Sequence, residues 1–175
     1  GLVSICLNSN NYNDNCDLDL GKIAIFYGGD SSEREVSLCT GKAIFDSLKS
    51  SQHDVTLFDI PSELNIFLKY KSDYSRVFIA LHGDAGENGT IQGMLSILGI
   101  PFTGSKVLGS AVAMDKLHAK SIWKNLNLPI IDGVCIKLGS GWDEACKQIK
   151  SFGFPCVLKP VAEGSSRDVY IFKDN

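Results

Sequence analysis

The chain predicts an open α/β fold, a doubly wound sheet of parallel strands with helices on its faces. Three observations carry that expectation. Apolar runs at Lys22–Tyr27, Asp54–Asp59 and Arg76–Leu81 have strand length, and the first and third read as buried on both faces. Segments of helical period lie between them, as parallel crossovers require. The first run ends in Gly28-Gly29, where the backbone can turn sharply and approach a ligand. Asp30, Ser31 and Ser32 follow and can cap a helix. Strand, glycine turn and helix start are a common way to build a ligand site in such a sheet.

Taken in order, Gly1–Gly21 is crowded with Asn8, Asn10, Asn11, Asn13 and Asn15 and has no sustained periodicity, so it is expected to be a disordered or loosely packed tail. Leu2–Leu7 is short and lacks a basic flank, which makes it a poor signal peptide. A helix is expected over Arg34–Lys49, with Val36, Cys39, Ala43, Ile44 and Leu48 near helical spacing. Pro61–Lys71 is a short helix or a connector. The third strand runs into His82–Gly89, a loop dense in turn formers. Thr90 can cap a helix over Ile91–Leu98, Gly99 stops it, and Pro101–Thr103 starts a fourth short strand. Ser105–Ala113 is a small-residue helix, and Met114-Asp115-Lys116 begins another that runs to Asn125. The pattern then changes, and a domain boundary is expected there. Gly133–Leu138 reads as a strand and Trp142–Lys150 as a helix. Pro155–Lys159 and Asp168–Lys173 read as two strands joined by a polar loop, an antiparallel hairpin more than a crossover.

The totals exclude several classes. At 175 residues the chain holds one domain, or one and part of another. A net charge of -3 gives no electrostatic case for nucleic acid as a partner. No apolar run reaches membrane-span length. The cysteines Cys6, Cys16, Cys39, Cys135, Cys146 and Cys156 form no Cys-x-x-Cys pair and are expected to be free, mostly buried thiols of a reducing compartment. Neither a zinc spacing nor His-Glu-x-x-His occurs, and the glycine turn is not a dinucleotide fingerprint. His53, His118, Trp123 and Trp142 have no partner motif and read as structural or surface residues.

Several residues carry a bland and a functional reading. Glu33 is either a carboxylate favoured by the helix dipole, worth under ~1 kcal/mol, or an anion placed to hold an ammonium group. His82 follows a strand and precedes a glycine loop; a lone histidine is often structural, yet ligand residues collect at the ends of parallel strands. Lys116 is a solvated helix lysine or a phosphate ligand. Lys159 ends a strand that reads as buried, where an ammonium needs an anion or an escape to water. Glu163-Gly164-Ser165-Ser166 is a simple turn, or a loop whose N–H groups and hydroxyls face a phosphate.

Four segments occur in a recognisable order: GG-x-S-x-EREVS at residues 28–37, ALHG-x-x-GE-x-GT-x-QG at 80–93, MDK at 114–116 and KP-x-x-EGSS at 159–166. Together they resemble the signatures of D-alanine–D-alanine ligases, members of the ATP-grasp superfamily, from about Lys22 to Ser166. The resemblance implies a Rossmann-like N-terminal domain, the pre-ATP-grasp domain, over residues 22–114. It implies the start of an ATP-grasp central domain over 115–175, with 1–21 as the tail. It implies ATP-dependent ligation of two D-alanines through an acyl phosphate, for peptidoglycan synthesis in a bacterial cytoplasm, by a homodimer that uses Mg²⁺. Glu33, His82 and Ser165 would be catalytic; Glu33, Val36, His82 and Glu87 would bind the first D-alanine, Glu87 orienting the His82 ring. Lys116, Lys159, Glu163, Gly164, Ser165 and Ser166 would bind ATP. The family's metal-binding acidic and Asn residues, and the loop that selects the second substrate, belong to a more C-terminal portion, so these 175 residues alone are expected not to turn over. Where the family continues with a small or aliphatic residue and Gly, this chain has Arg167-Asp168. Alternatives are a D-alanine–D-lactate or D-alanine–D-serine enzyme, another ATP-grasp carboxylate–amine ligase, a nucleotide-binding fragment without turnover, and an α/β domain that acts through protein contacts.

Overall fold

The structure, a computed structural model, describes residues 19–164 and 168–173. The expected tail, apart from its last three residues, lies outside them, as do Ser165, Ser166 and Arg167. Three parallel strands, β1 (Ile23–Gly28), β2 (Val55–Ile60) and β3 (Arg76–Ile79), pair in the order β2-β1-β3. β1 is central, so both its edges are hydrogen-bonded and both its faces are covered. The strand period of two divides its side chains accordingly. Ala24 and Phe26 face a core with Phe58, Phe67, Val77, Leu81, Ile91 and Leu95, closed by α2 (Leu64–Tyr70) and α4 (Thr90–Ile97). Ile23 and Ile25 face the other way, against Val55, Ala80 and helix α1 (Arg34–Ser50). Helices on both faces make the sheet doubly wound, as the runs predict.

α1 packs by a different stripe from the one its apolar residues suggest. Val36, Cys39 and Ala43 are exposed, whereas Ser37 and Gly41 are buried and Ile44, Phe45 and Leu48 pack on the sheet. Close approach explains the shift. A Cβ built on Gly41 would lie 2.4 Å from the Tyr27 Cβ. Small residues therefore set the helix–sheet distance, and Val36, Cys39 and Ala43 are turned outward. Gly41→Ala is expected to lower the unfolding free energy by about 1–3 kcal/mol, overpacking outweighing the helix propensity that Ala brings. Urea unfolding of the two proteins measures it; an equal or higher midpoint for the variant would mean that Tyr27 yields freely.

Other expectations change in detail. The fourth strand is a single parallel bridge, Val77 to Phe102, with Val77 N donating to Pro101 O at 2.8 Å and Thr103 N to Val77 O at 3.1 Å. The loop after β3 contains one helical turn, α3 (Asp84–Glu87). Thr90 is the first residue of α4 and does not cap it; the Asn88 side chain accepts from both the N–H and the hydroxyl of Thr90. Residues 133–138 form no ladder, because no strand among the described residues runs beside them, and Val134 and Leu138 stand exposed. Beyond α5 (Val107–Met114) come α6 (Lys116–Asn125), α7 (Trp142–Phe152) and the antiparallel hairpin β4 (Cys156–Leu158) with β5 (Tyr170–Phe172). Cys39, Cys135, Cys146 and Cys156 are free thiols, but only Cys156 is buried. Cys39 goes outward with its stripe, and Cys135 lies in the unpaired stretch. Among the described residues no helix is long and apolar enough to cross a membrane.

Candidate active site

The crevice lies at the carboxyl ends of β1 and β3, where α1 begins. Ser31 ties the two strand ends together. Its hydroxyl donates to His82 O at 2.8 Å and accepts from Glu33 N at 3.2 Å. The Gly28-Gly29 turn is fixed from the side of β2. Arg34 Nη1 donates to Gly29 O at 2.7 Å and to Asp59 Oδ1 at 2.8 Å, and Nη2 completes a bidentate pair with Asp59. Such a fork holds geometry as well as charge.

Glu33 occupies the position before the first turn of α1 and is only 6% exposed. Its carboxylate has no hydrogen-bond or ion-pair partner among the described residues. Buried carboxylates are ordinarily paired, because desolvating an anion is costly. A Cβ built on Gly83 would fall 3.6 Å from Glu33 Cδ, so this carboxylate stands directly beside the backbone that follows His82.

His82 is held on both nitrogens. Nδ1 is 3.5 Å from Glu87 Oε1, on the turn α3, and Nε2 is 3.1 Å from Thr40 Oγ1. The Thr40 hydroxyl also meets Val36 O, to which it donates at 2.9 Å. Sequence reasoning missed Thr40 and Ser37. Their signal was the polar row Glu33, Ser37 and Thr40, at i, i+4 and i+7 on one face of α1. Ser37 Oγ donates to Ala80 O at 2.7 Å, and the row thus docks on residues 80–83. Val36 is 51% exposed and stands outside that row. A cavity of about 260 Å³ adjoins the cluster, lined by Gly29, Ser31, Leu81, His82, Gly83 and Met94 among others.

Of the nucleotide-side candidates, Lys116 and Glu163 come together, with Gly164 next in the chain. Lys116 begins α6; its N–H donates to Val161 O at 3.1 Å, and Nζ donates to Val161 O at 3.2 Å and to Glu163 O. Asp115 caps this helix by accepting from Leu117 N and His118 N, each at 2.9 Å, and its other oxygen is 2.8 Å from His118 Nδ1. Gly164 lies against Glu33, a Cβ there falling 2.9 Å from Oε1. Lys159 is exposed, and β4, which it follows, buries only Cys156, so the expectation of a lysine at the end of a buried strand does not hold. Asp168 has φ +49°, a left-handed backbone that suits the glycine found there in the resembled pattern.

Among the described residues two carboxylates are shifted. The Arg34 hydrogen bond holds Asp59 below its ordinary value, against the opposing effect of burial. The His118 backbone N–H, then its side chain, do the same for Asp115. A folded-state value below the unfolded one stabilises the fold above the unfolded value of about 4, and that stabilisation is lost as pH falls through the folded value. Thermal unfolding is therefore expected to show a falling midpoint below about pH 4, a fall that Asp59→Asn reduces. An identical acid limb in that variant would remove Asp59 from the account.

Open parallel sheet, glycine turn and a charged crevice at the strand ends make this an α/β domain of the kind that carries ligand sites at its strand ends. Known proteins make the assignment closer. Residues 22–76 and 67–105 match the family model described as "D-ala D-ala ligase N-terminus". The D-alanine–D-alanine ligase of Anaeromyxobacter sp. (strain Fw109-5) is 46% identical over 153 residues, covering 87% of this chain and 49% of that protein. The one from Nitrosospira multiformis is 45% identical over 148 residues, covering 85% and 47%. Among solved structures, the D-alanine–D-alanine ligase of Bacillus anthracis superposes with a TM-score of 0.74 at 32% identity, over 89% of this chain and 50% of that one. Its complex with ATP gives 0.71 at 33% identity, over 88% and 50%. The chain belongs to the D-alanine–D-alanine ligase family, and it spans about half the length of the curated relatives it matches.

Proposed function

We propose that the protein carrying this chain joins two D-alanines at the expense of ATP, and that residues 22–114 bind the first of them. The observation that carries this reading is Glu33, 6% exposed and with no partner for its carboxylate among the described residues, beside the backbone that follows His82, in a chain of this family. An amino acid's ammonium supplies the missing countercharge, and the His82 ring, braced by Thr40 and Glu87, faces the same crevice. A carboxylate oxygen of the first D-alanine attacks the γ-phosphorus of ATP, the bond to the β,γ-bridging oxygen breaks, and ADP leaves. The deprotonated amine of the second D-alanine attacks the acyl carbon, and the phosphate departs with its C–O bond. Both steps gather charge on oxygen, so cationic donors such as Lys116 and Lys159 serve the phosphates. Mg²⁺ neutralises triphosphate charge when bound. Among the described residues no group of three or more His, Cys, Asp or Glu comes together to hold it.

The domain boundary belongs with this reading: Asp115 is the one extended residue between α5 and α6. So do the bacterial cytoplasm, peptidoglycan synthesis and a homodimer, which follow from the family. Carboxyl-labelled ¹⁸O-D-alanine tests the chemistry. One ¹⁸O in each released phosphate is expected; phosphate without label would exclude the acyl phosphate, and no D-alanine-dependent phosphate would exclude the ligase.

Asp168 bears on ATP. Asp168→Gly removes an anion near the phosphate loop and relaxes a left-handed backbone. The KM for ATP is expected to fall roughly threefold, the scale of a weak exposed charge interaction. Steady-state kinetics measures it, and a rise in KM would give Asp168 a constructive role.

A further inference from the structure

Gly164 and Lys116 are joined to the amino-acid side of the crevice by contacts that a phosphate-binding role does not call for. The Lys116 ammonium has three N–H donors, and two are spent on the carbonyls of Val161 and Glu163, while its own backbone N–H holds Val161 O a second time. Residues 161–163 are therefore clamped to the start of α6, whose N-terminus Asp115 fixes. The residue that follows the clamp, Gly164, sits on the Glu33 carboxylate, with room for hydrogen only: an added Cβ would be 2.9 Å from Oε1 and 3.9 Å from Cδ. No positive φ is involved at Gly164, so space rather than backbone strain demands glycine. Of the atoms in that contact, Glu33 Oε1 is the movable one, being the far end of a side chain. A side chain at position 164 would be accommodated by displacing the very carboxylate that faces the ligand.

We infer that Lys116 and Gly164 are positioning residues of the first-substrate pocket: the lysine seats chain 161–163 so that Gly164 covers Glu33 and fixes its carboxylate for an amino acid's ammonium group. Among the described residues nothing takes the third Lys116 donor, which leaves it available to a phosphate, so the two duties coexist. The inference rests on Glu33 as the ammonium ligand and adds that its geometry is set from the nucleotide side, before any nucleotide binds.

The test is calorimetric titration of D-alanine into the nucleotide-free protein that carries this chain. Gly164→Ala and Lys116→Met are each expected to weaken D-alanine binding about tenfold, the factor that goes with a displaced charged hydrogen bond. Lys116→Arg, which keeps donors for both carbonyls, is expected to stay within about threefold of the parent. A D-alanine affinity unmoved by both Gly164→Ala and Lys116→Met overturns the inference, as does a parent protein that binds no D-alanine without nucleotide. Glu33→Gln is the control: if it leaves D-alanine binding intact, the underlying assignment of Glu33 has failed, whereas if only Glu33→Gln acts, the positioning roles have failed alone.

Discussion

Phe67→Ala is expected to lower the unfolding free energy by about 3–5 kcal/mol, the range for emptying a fully buried aromatic site. Phe67 is the only contribution of α2 that is completely buried, at 0% exposure, and it is the hub of the aromatic cluster. Its ring meets Phe26 edge-on at 4.7 Å between centroids, Phe58 at 5.5 Å and Tyr74 at 5.7 Å. Two of these contacts have the near-perpendicular geometry that suits the ring quadrupoles, so removal forfeits more than buried area. The neighbours cannot collapse into the space cheaply. Phe26 and Phe58 belong to paired strands, and Phe58 is already in contact with Tyr74 at 5.4 Å. Set against a typical total of about 5–15 kcal/mol, the loss is large enough to leave a measurable unfolded fraction at 37 °C. Phe67→Leu retains much of the volume and should cost less than half as much. Chemical denaturation of the three proteins decides it. A loss under about 1 kcal/mol for Phe67→Ala would mean that α2 is not anchored through this ring.

The strands were readable because burial on both faces leaves uninterrupted apolar runs, as in Ile23–Phe26. Helix α1 was readable in extent but not in orientation. Apolar periodicity weighs large residues, and here Ser37 and Gly41 make the contact because β1 comes too close for anything larger. At 133–138 the β-type pattern is present, but a strand exists only beside a partner, and pairing is a property of two segments that one cannot reveal. The same limit governed the site. Glu33 and His82 could be picked out by their place after strands and by motif resemblance. The braces on them, Ser31, Thr40 and Gly164, are ordinary residue types whose meaning comes from the neighbour 51, 42 or 131 positions away in the chain. Lys159 shows the converse: a motif position whose local argument, a charge at a buried strand end, fails because β4 is exposed on its Val157 and Leu158 side chains.

Glu33→Gln is expected to raise the KM for the first D-alanine about 10- to 100-fold while changing the affinity for ATP by less than about threefold. The first figure corresponds to a charge-assisted hydrogen bond of about 1.5–3 kcal/mol exchanged for a weaker neutral one. The amide is nearly isosteric, so the contacts of Gly83 and Gly164 with this side chain persist and the crevice keeps its shape. What changes is charge, and only a ligand carrying the opposite charge should respond strongly. Stability supplies the sharper test, because the two accounts of Glu33 differ in sign. If the carboxylate served the fold through the dipole of α1, neutralising it would destabilise the protein. If it is held buried and unpaired for a ligand, the ligand-free protein bears its desolvation cost, and Glu33→Gln should leave the melting temperature unchanged or raise it. D-alanine should then raise the melting temperature of the parent and not that of the variant at the same concentration. A variant that melts lower than the parent yet gains as much from D-alanine would return Glu33 to its structural reading and leave the ammonium group to another partner.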